Sequence, residues 1–209
     1  MKSSGKDSRD GGVISIDDKN KPLELLFQWI QEAKDNGIIE PNAMSLATVN
    51  EYGSPRNRMV LAKYLDGEEV GFFTNLDSDK SLEIITNENV SCTFWWPEIE
   101  RQVRLEGRAV QMDRKQVLEY HSTRPRKSRI AAWASDQSRV LESMDHLQKI
   151  FFFYESKFGS DDIPVPPHWG GYVIRINRVE YWSGRPNRLH ERIVLSRLDN
   201  SWTKHRLNP

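Results

Sequence analysis

Cysteine is almost missing. Cys92 is the only one among 209 residues. That excludes an intrachain disulfide and any metal site built on cysteine pairs. A surplus of either charge is missing too: thirty Lys plus Arg balance thirty Asp plus Glu. A general binder of nucleic acid or of a membrane surface needs a basic excess, so neither is an expected partner. No apolar run approaches a membrane span and no secretory leader is visible, so a cytoplasmic protein is expected. The five histidines lack metal-ligand spacing, and no metal is expected. There is no glycine-rich phosphate loop, no Ser-His-Asp order, no recognisable carboxylate pair and no internal repeat.

What the chain has is aromatics and local order. Seven tryptophans is a high number for this length; large aromatics fill cores but also line interfaces and ring-binding pockets. Residues 1–20 are polar and read as a flexible tail, and residues 21–209 as a single domain. Pro22 suits the first turn of a helix, Leu25, Leu26, Trp29, Ile30 and Ala33 recur at helical spacing, and Gly37 suits the exit. From Ala43 the period becomes that of strands: 44–49, 54–64, 70–74, 90–96 and 101–112. In the last of these, Val103, Leu105, Gly107 and Ala109 alternate with Gln102, Arg104, Glu106 and Arg108, one face buried and one wet. Ser78 is expected to cap a helix over 80–86, and Asp113 one reaching 122. A basic elbow at 123–128 precedes a helix over 129–134, and 140–158 read as an amphipathic helix. Strands return over 169–182, 188–198 and 202–207. Short strands with hairpin signals and no βαβ alternation give a mainly β class with helical insertions (α+β), built as an antiparallel barrel.

Three basic clusters have the composition of anion sites. The first is Arg58 and Lys63, with Lys80 at a helix start, where exposed amides add to its charge. Arg58 and Lys63 are an odd number apart, so a regular strand puts them on opposite faces unless it bulges; unrelated surface cations are the plainer alternative. The second is Tyr120, Arg124 and Ser128, where Pro125 breaks the helix and lets an elbow gather a hydroxyl, a guanidinium and a capping serine round one phosphate. A surface turn is the alternative. The third is Arg188, His190 and Arg192, which share one face if 188–192 is a strand and repel unless an anion lies opposite. A solvated edge strand is the alternative. Phosphate-competent sites among many aromatics, without a nucleophile or metal, suggest a chain that positions a phosphorylated aromatic cofactor.

In order and spacing these pieces resemble the pyridoxamine (pyridoxine) 5′-phosphate oxidases, from about Pro22 to Pro209. The matching pieces are 58–63 (Arg-Met-Val-Leu-Ala-Lys), 73–75 (Phe-Thr-Asn), 101–107 (Arg-Gln-Val-Arg-Leu-Glu-Gly) and 120–126 (Tyr-His-Ser-Thr-Arg-Pro-Arg) with Ser128. Gln137 with Ser138, 169–171 (Trp-Gly-Gly), Trp182, 188–192 (Arg-Leu-His-Glu-Arg) and 206–209 (Arg-Leu-Asn-Pro) complete them.

The resemblance implies an antiparallel FMN-binding split β-barrel acting as a homodimer, with two FMN sites at the interface. It implies oxidation of pyridoxamine or pyridoxine 5′-phosphate to pyridoxal 5′-phosphate, with O2 as acceptor and H2O2 as product. Position by position, Arg58, Met59, Val60, Leu61, Lys63, Phe73, Thr74, Lys80, Gln102, Gln137, Ser138, Trp182 and Arg192 would hold FMN. Lys63, Tyr120, Arg124, Ser128, Arg188 and His190 would hold the substrate, with Arg188 and His190 the catalytic candidates near the reacting carbon. Two features depart from the family pattern. Asp79 stands where an arginine is common, an expected repulsion on the order of 1 kcal/mol toward the flavin phosphate. The tail also lacks the arginine-rich stretch that covers the substrate in some members. Two alternatives stay open: a related flavin oxidase of another aromatic substrate, of the phenazine-pathway type, and a non-catalytic FMN or pyridoxal-phosphate binder. The Tyr120, Arg124, Ser128 set favours a phosphorylated substrate.

Overall fold

A computed structural model describes residues 10–16, 21–199 and 201–209. Its strands are β1 (Ala43–Val49), β2 (Pro55–Leu61), β3 (Tyr64–Asp66), β4 (Glu69–Asn75), β5 (Asn89–Trp96), β6 (Arg101–Gln111), β7 (Trp169–Ser183), β8 (Glu191–Leu198) and β9 (Ser201–Arg206). The helices are α1 (Glu24–Asp35), α2 (Asp79–Thr86), α3 (Arg114–Thr123), α4 (Arg126–Ala134) and α5 (Met144–Phe158). All pairings are antiparallel, in the order β2-β1-β5-β6-β7-β4-β3, with β8 and β9 added beside β7.

β7 organises the rest. One edge pairs with β6 along its length, from Ser183↔Arg101 to Tyr172↔Gln111. The other edge is divided: Trp169 to Arg175 pair with β4, and Arg178 to Ser183 pair with β8. The wall opens where the partner changes, which gives the expected split antiparallel barrel. The β6 ladder slips between Glu106 and Gly107 at the same level. Glycine is required there, because a Cβ on Gly107 would lie 2.3 Å from the Arg175 carbonyl oxygen.

The core follows from the alternation. On β1, Met44, Leu46 and Thr48 are buried in turn; on β6, Val103, Leu105, Gly107 and Ala109 are. α1 closes the barrel with Leu26, Trp29 and Ala33, spaced three and four apart. Trp29 meets Tyr181 edge-on at 5.4 Å. The buried Tyr181 hydroxyl donates to the Pro22 carbonyl at 2.7 Å and accepts from the Leu26 amide at 3.2 Å. The first turn of α1 thereby keeps its polar partners without water.

Several local expectations change. The strand over 54–64 is two, because the chain breaks at 62–63 between β2 and β3. Lys63 sits in that break, so the alternation that would set it opposite Arg58 does not extend to it. α4 begins at Arg126, directly after Pro125 at its N-cap. Ser78 occupies the N-cap of α2 but makes no cap bond; its hydroxyl donates to the Asn75 carbonyl at 2.7 Å. α5 starts at Met144 with Ser143 as a working cap, and no residue of it is fully buried. Within the tail, residues 10–16 pack on the body with Ile14 only 3% exposed. The other residues of the expected tail, 1–9 and 17–20, lie outside the described ones.

Candidate active site

A cleft of about 370 Å³ opens at the start of β7, within the few hundred Å³ of small-molecule sites. β2 and the break after it bring Met59, Val60, Leu61 and Lys63; β4 brings Phe73, Thr74 and Asn75; α2 brings Lys80. α3 brings Tyr120, the elbow after it Arg124, α4 Ser128, and the loop after α4 Gln137. The elbow at Pro125 lets one turn contribute from both sides.

The wall is a stack of parallel rings. Phe73 lies on Tyr120 at 3.9 Å and 9°, and beside Trp169 at 5.4 Å and 5°. The Arg124 guanidinium sits over the other rings' neighbour, Trp169, at 4.6 Å. Its Nη1 is buried with no hydrogen-bond partner among the described residues. Burial holds the Arg124 pKa below its usual value, and nearby Arg129 adds repulsion. Arg124 as a whole is half-buried, and a cation with one buried, idle donor is unfavourable there unless an anion completes it. Behind Trp169, burial pushes the His121 pKa down to about 4, so this side chain is a neutral support.

The other end of the cleft holds Lys80. Its Nζ donates to Gln137 Oε1 at 2.8 Å, Ser78 Oγ at 3.0 Å and Thr74 Oγ1 at 3.1 Å. Burial first, and repulsion from Arg58 second, lower its pKa to about 8. The ammonium is therefore charged below about pH 8 and loses its proton as pH rises through that value. An anion held by Lys80 should bind more weakly from pH 7 to pH 9, and Lys80→Met should flatten that dependence. Titration of the ligand-free protein with inorganic phosphate at fixed ionic strength measures both.

Two further matters concern this corner. Arg58 is not part of the cleft lining: it donates to Thr48 and pairs with the buried Glu83 at 3.0 Å. Asp79 faces a separate surface groove and lies between Arg56 at 3.5 Å and Arg139 at 3.6 Å. The repulsion expected from Asp79 is thus countered locally by two guanidinium groups.

Gln102, Trp182, Arg188, His190 and Arg192 gather at the far end of β7, and Ser138 does not. Gln102 pairs across to Trp182, and the His190 ring lies 4.7 Å from Trp182. The strand reading of 188–192 is corrected: β8 begins at Glu191, and Arg188 lies in a turn with Asn187 and Arg188 at φ of 58° and 60°. Arg188, His190 and Arg192 do not share a strand face. Arg192 is committed to the buried Glu180 at 2.7 Å, whereas Arg188 is exposed and has no ion pair among the described residues. Ser138 is exposed, in the loop after α4, with φ 71°.

Residues 30–150 match the family model described as pyridoxamine 5′-phosphate oxidase. Residues 169–209 match the one described as the pyridoxine 5′-phosphate oxidase C-terminal dimerisation region. The chain belongs to the pyridoxamine 5′-phosphate oxidase family. It is 44% identical over 188 residues to the pyridoxine/pyridoxamine 5′-phosphate oxidase of Leptospira biflexa, covering 90% of this chain and 89% of that one. It is 41% identical over 199 residues to that of Shewanella oneidensis, covering 95% and 94%. Among solved structures it is similar to PhzG from Burkholderia lata, in complex with tetrahydrophenazine-1-carboxylic acid, with TM-score 0.88 and 26% identity over 94% of this chain and 98% of that one. As a member of this oxidase family, the chain is an oxidoreductase.

Of the family-derived candidates, the cleft unites Met59, Val60, Leu61, Lys63, Phe73, Thr74, Lys80, Tyr120, Arg124, Ser128 and Gln137. It does not include Arg58, Gln102, Ser138, Trp182, Arg188, His190 or Arg192. Trp169 and Asn75 line the cleft without having been singled out for a site. The Trp-Gly-Gly at 169–171 reads as a strand start, and the one signal for Trp169 was its place in the family motif. No helix among the described residues is long and apolar enough to cross a membrane.

Proposed function

We propose that the chain oxidises pyridoxamine or pyridoxine 5′-phosphate to pyridoxal 5′-phosphate, with FMN as cofactor, as a cytoplasmic homodimer. One observation carries most of the weight: the buried, unpartnered Arg124 Nη1 beside Tyr120 and Ser128, against a stack of flat rings. That is a cradle for a phosphate ester on an aromatic ring. Lys80, Thr74 and Gln137 offer a second polar cradle, fitting the phosphate of FMN. Bound FMN would supply the two-electron chemistry, accepting hydride from C4′ and returning the electrons to O2 as H2O2.

The distance along β7 calls for two chains. Thirteen steps separate Trp169 from Trp182, roughly 40 Å of extended strand. On that length we infer that one chain would keep its own cleft apart from its own Arg188 and His190. A second copy would bring them together if the C-terminal regions pair, a reading that the match of 169–209 to a dimerisation region supports. Each of two sites would then take its ring stack and phosphate cradles from one chain. Gln102, Trp182, Arg188, His190 and Arg192 would come from the other.

Within that site, His190 Nδ1 accepts from the Arg185 amide at 3.1 Å. The neutral ring therefore carries its proton on Nε2, as a donor toward the substrate. Arg188, free of carboxylates among the described residues, is the second orienting group. Purified protein with FMN and pyridoxine 5′-phosphate should produce pyridoxal 5′-phosphate and equimolar peroxide. Yellow protein without turnover would leave only a flavin binder. Turnover of a carboxylated dihydroaromatic substrate, without turnover of the phosphate ester, would move the chain to the phenazine-type reading.

A further inference from the structure

We propose that residues 10–14 are a positioning strap for the loop that carries Arg188 and His190. This rests on the proposed role of those two residues. The loop, 184–190, leaves β7 and enters β8 through a turn with two non-glycine residues at positive φ, Asn187 and Arg188. Such a turn persists only where its surroundings fix it.

The strap fixes both of its ends. On the β7 side the Gly11 amide donates to the Gly184 carbonyl at 2.9 Å, and Ser183 Oγ donates to the Gly12 carbonyl at 2.7 Å. Asp10 pairs with Arg185 at 2.6 Å. On the β8 side the Ile14 amide donates to Glu191 Oε2 at 2.9 Å, with Ile14 itself in the core. From below, Arg101 Nε donates to the Gly11 carbonyl at 3.0 Å. Gly11 admits no side chain: a Cβ would lie 2.4 Å from Ser183 Oγ and 2.5 Å from the Glu100 carbonyl oxygen.

The link to chemistry runs through Arg185. Its side chain is held by Asp10, and its amide donates to His190 Nδ1. The strap thus sets the position of the amide that fixes the His190 tautomer, while the Trp182 ring bounds His190 on another side. The strap's bonds run to Ser183, Gly184, Arg185, Glu191 and Arg101, none of which lines the cleft, so its effect falls first on orientation at the reacting end. Asp10, Gly11 and Gly12 are positioning residues, acting through His190 and Arg188.

The test is a double-mutant cycle on the full-length holoenzyme. Gly11→Val should lower kcat roughly tenfold or more, since displacements near 1 Å at a reacting group have effects of that size. FMN affinity and KM should change several-fold less than kcat, the phosphate cradles being remote from the strap. Asp10→Ala should show a smaller loss of the same kind, restored by Asp10→Glu. In a background carrying both Arg188→Ala and His190→Ala, Gly11→Val should add little. Full additivity in that cycle, or a loss that follows FMN release, would overturn the proposal. If the native chain shows no turnover, the functional reading fails instead. The strap is then judged on 15N-histidine spectra, where Gly11→Val must move the His190 ring signals, and unchanged signals would refute it.

Discussion

Arg124→Ala will raise the KM for pyridoxine 5′-phosphate by roughly two to three orders of magnitude, while FMN affinity stays near native. The guanidinium is held over Trp169 with one nitrogen buried and idle. A phosphate there converts an unfavourable burial into charge-assisted hydrogen bonds, so the ligand gains both the new bonds and the relief of the old cost. Removing the group forfeits both. Arg124→Lys separates charge from shape: the ammonium keeps the attraction but loses the fork and the stacking plane, and an intermediate KM is expected. The ligand-free protein should lose little stability on Arg124→Ala, about the 0.5–2 kcal/mol of the stacking on Trp169 at most, because the half-buried guanidinium has one idle nitrogen. A fall in melting temperature equal to that of a core truncation would mean that Arg124 is structural and that the phosphate lies elsewhere.

The second large effect needs two chains in one tube. Arg188→Ala with His190→Ala should lower kcat by roughly a hundredfold or more, because orientation and a proton donor at the reacting carbon are lost together. Co-refolding this chain with Arg124→Ala, assayed well below the native KM, should restore about a quarter of native activity. Half of the dimers would be mixed, and one of the two sites in each would have both of its halves intact. A mixture no more active than the separate variants would place cleft and loop in the same subunit and refute the shared site.

Much of the fold was legible in the residues, where burial imposes a simple period. β6 alternates cleanly because one face is core, and α1 repeats at three and four because one stripe meets Tyr181 and its neighbours. The turn at 186–189 was not legible from the same rule. Period-two spacing of Arg188, His190 and Arg192 imitates a strand, while the local signals, Pro186 and an asparagine suited to the left-handed region, point to the turn that forms. Ser78 shows another limit. Its type and place fit an N-cap, but the hydroxyl goes to Asn75 and Lys80, a competition that only tertiary structure reveals. The candidate residues themselves came chiefly from family resemblance. What resemblance did not contain was which side chains are already engaged: Arg58 by Glu83, Arg192 by Glu180 and Asp79 by two arginines.

The divided edge of β7 has a consequence for how activity responds to dilution. If each chain carries two half-sites at opposite ends of one strand, a lone chain has none that is whole. Rate per chain then follows the fraction paired: constant at high concentration, and falling in proportion to concentration once dimers dissociate. Substrate or flavin spanning both chains would pull that threshold lower by mass action, so the enzyme would persist longest as a pair while it has something to oxidise.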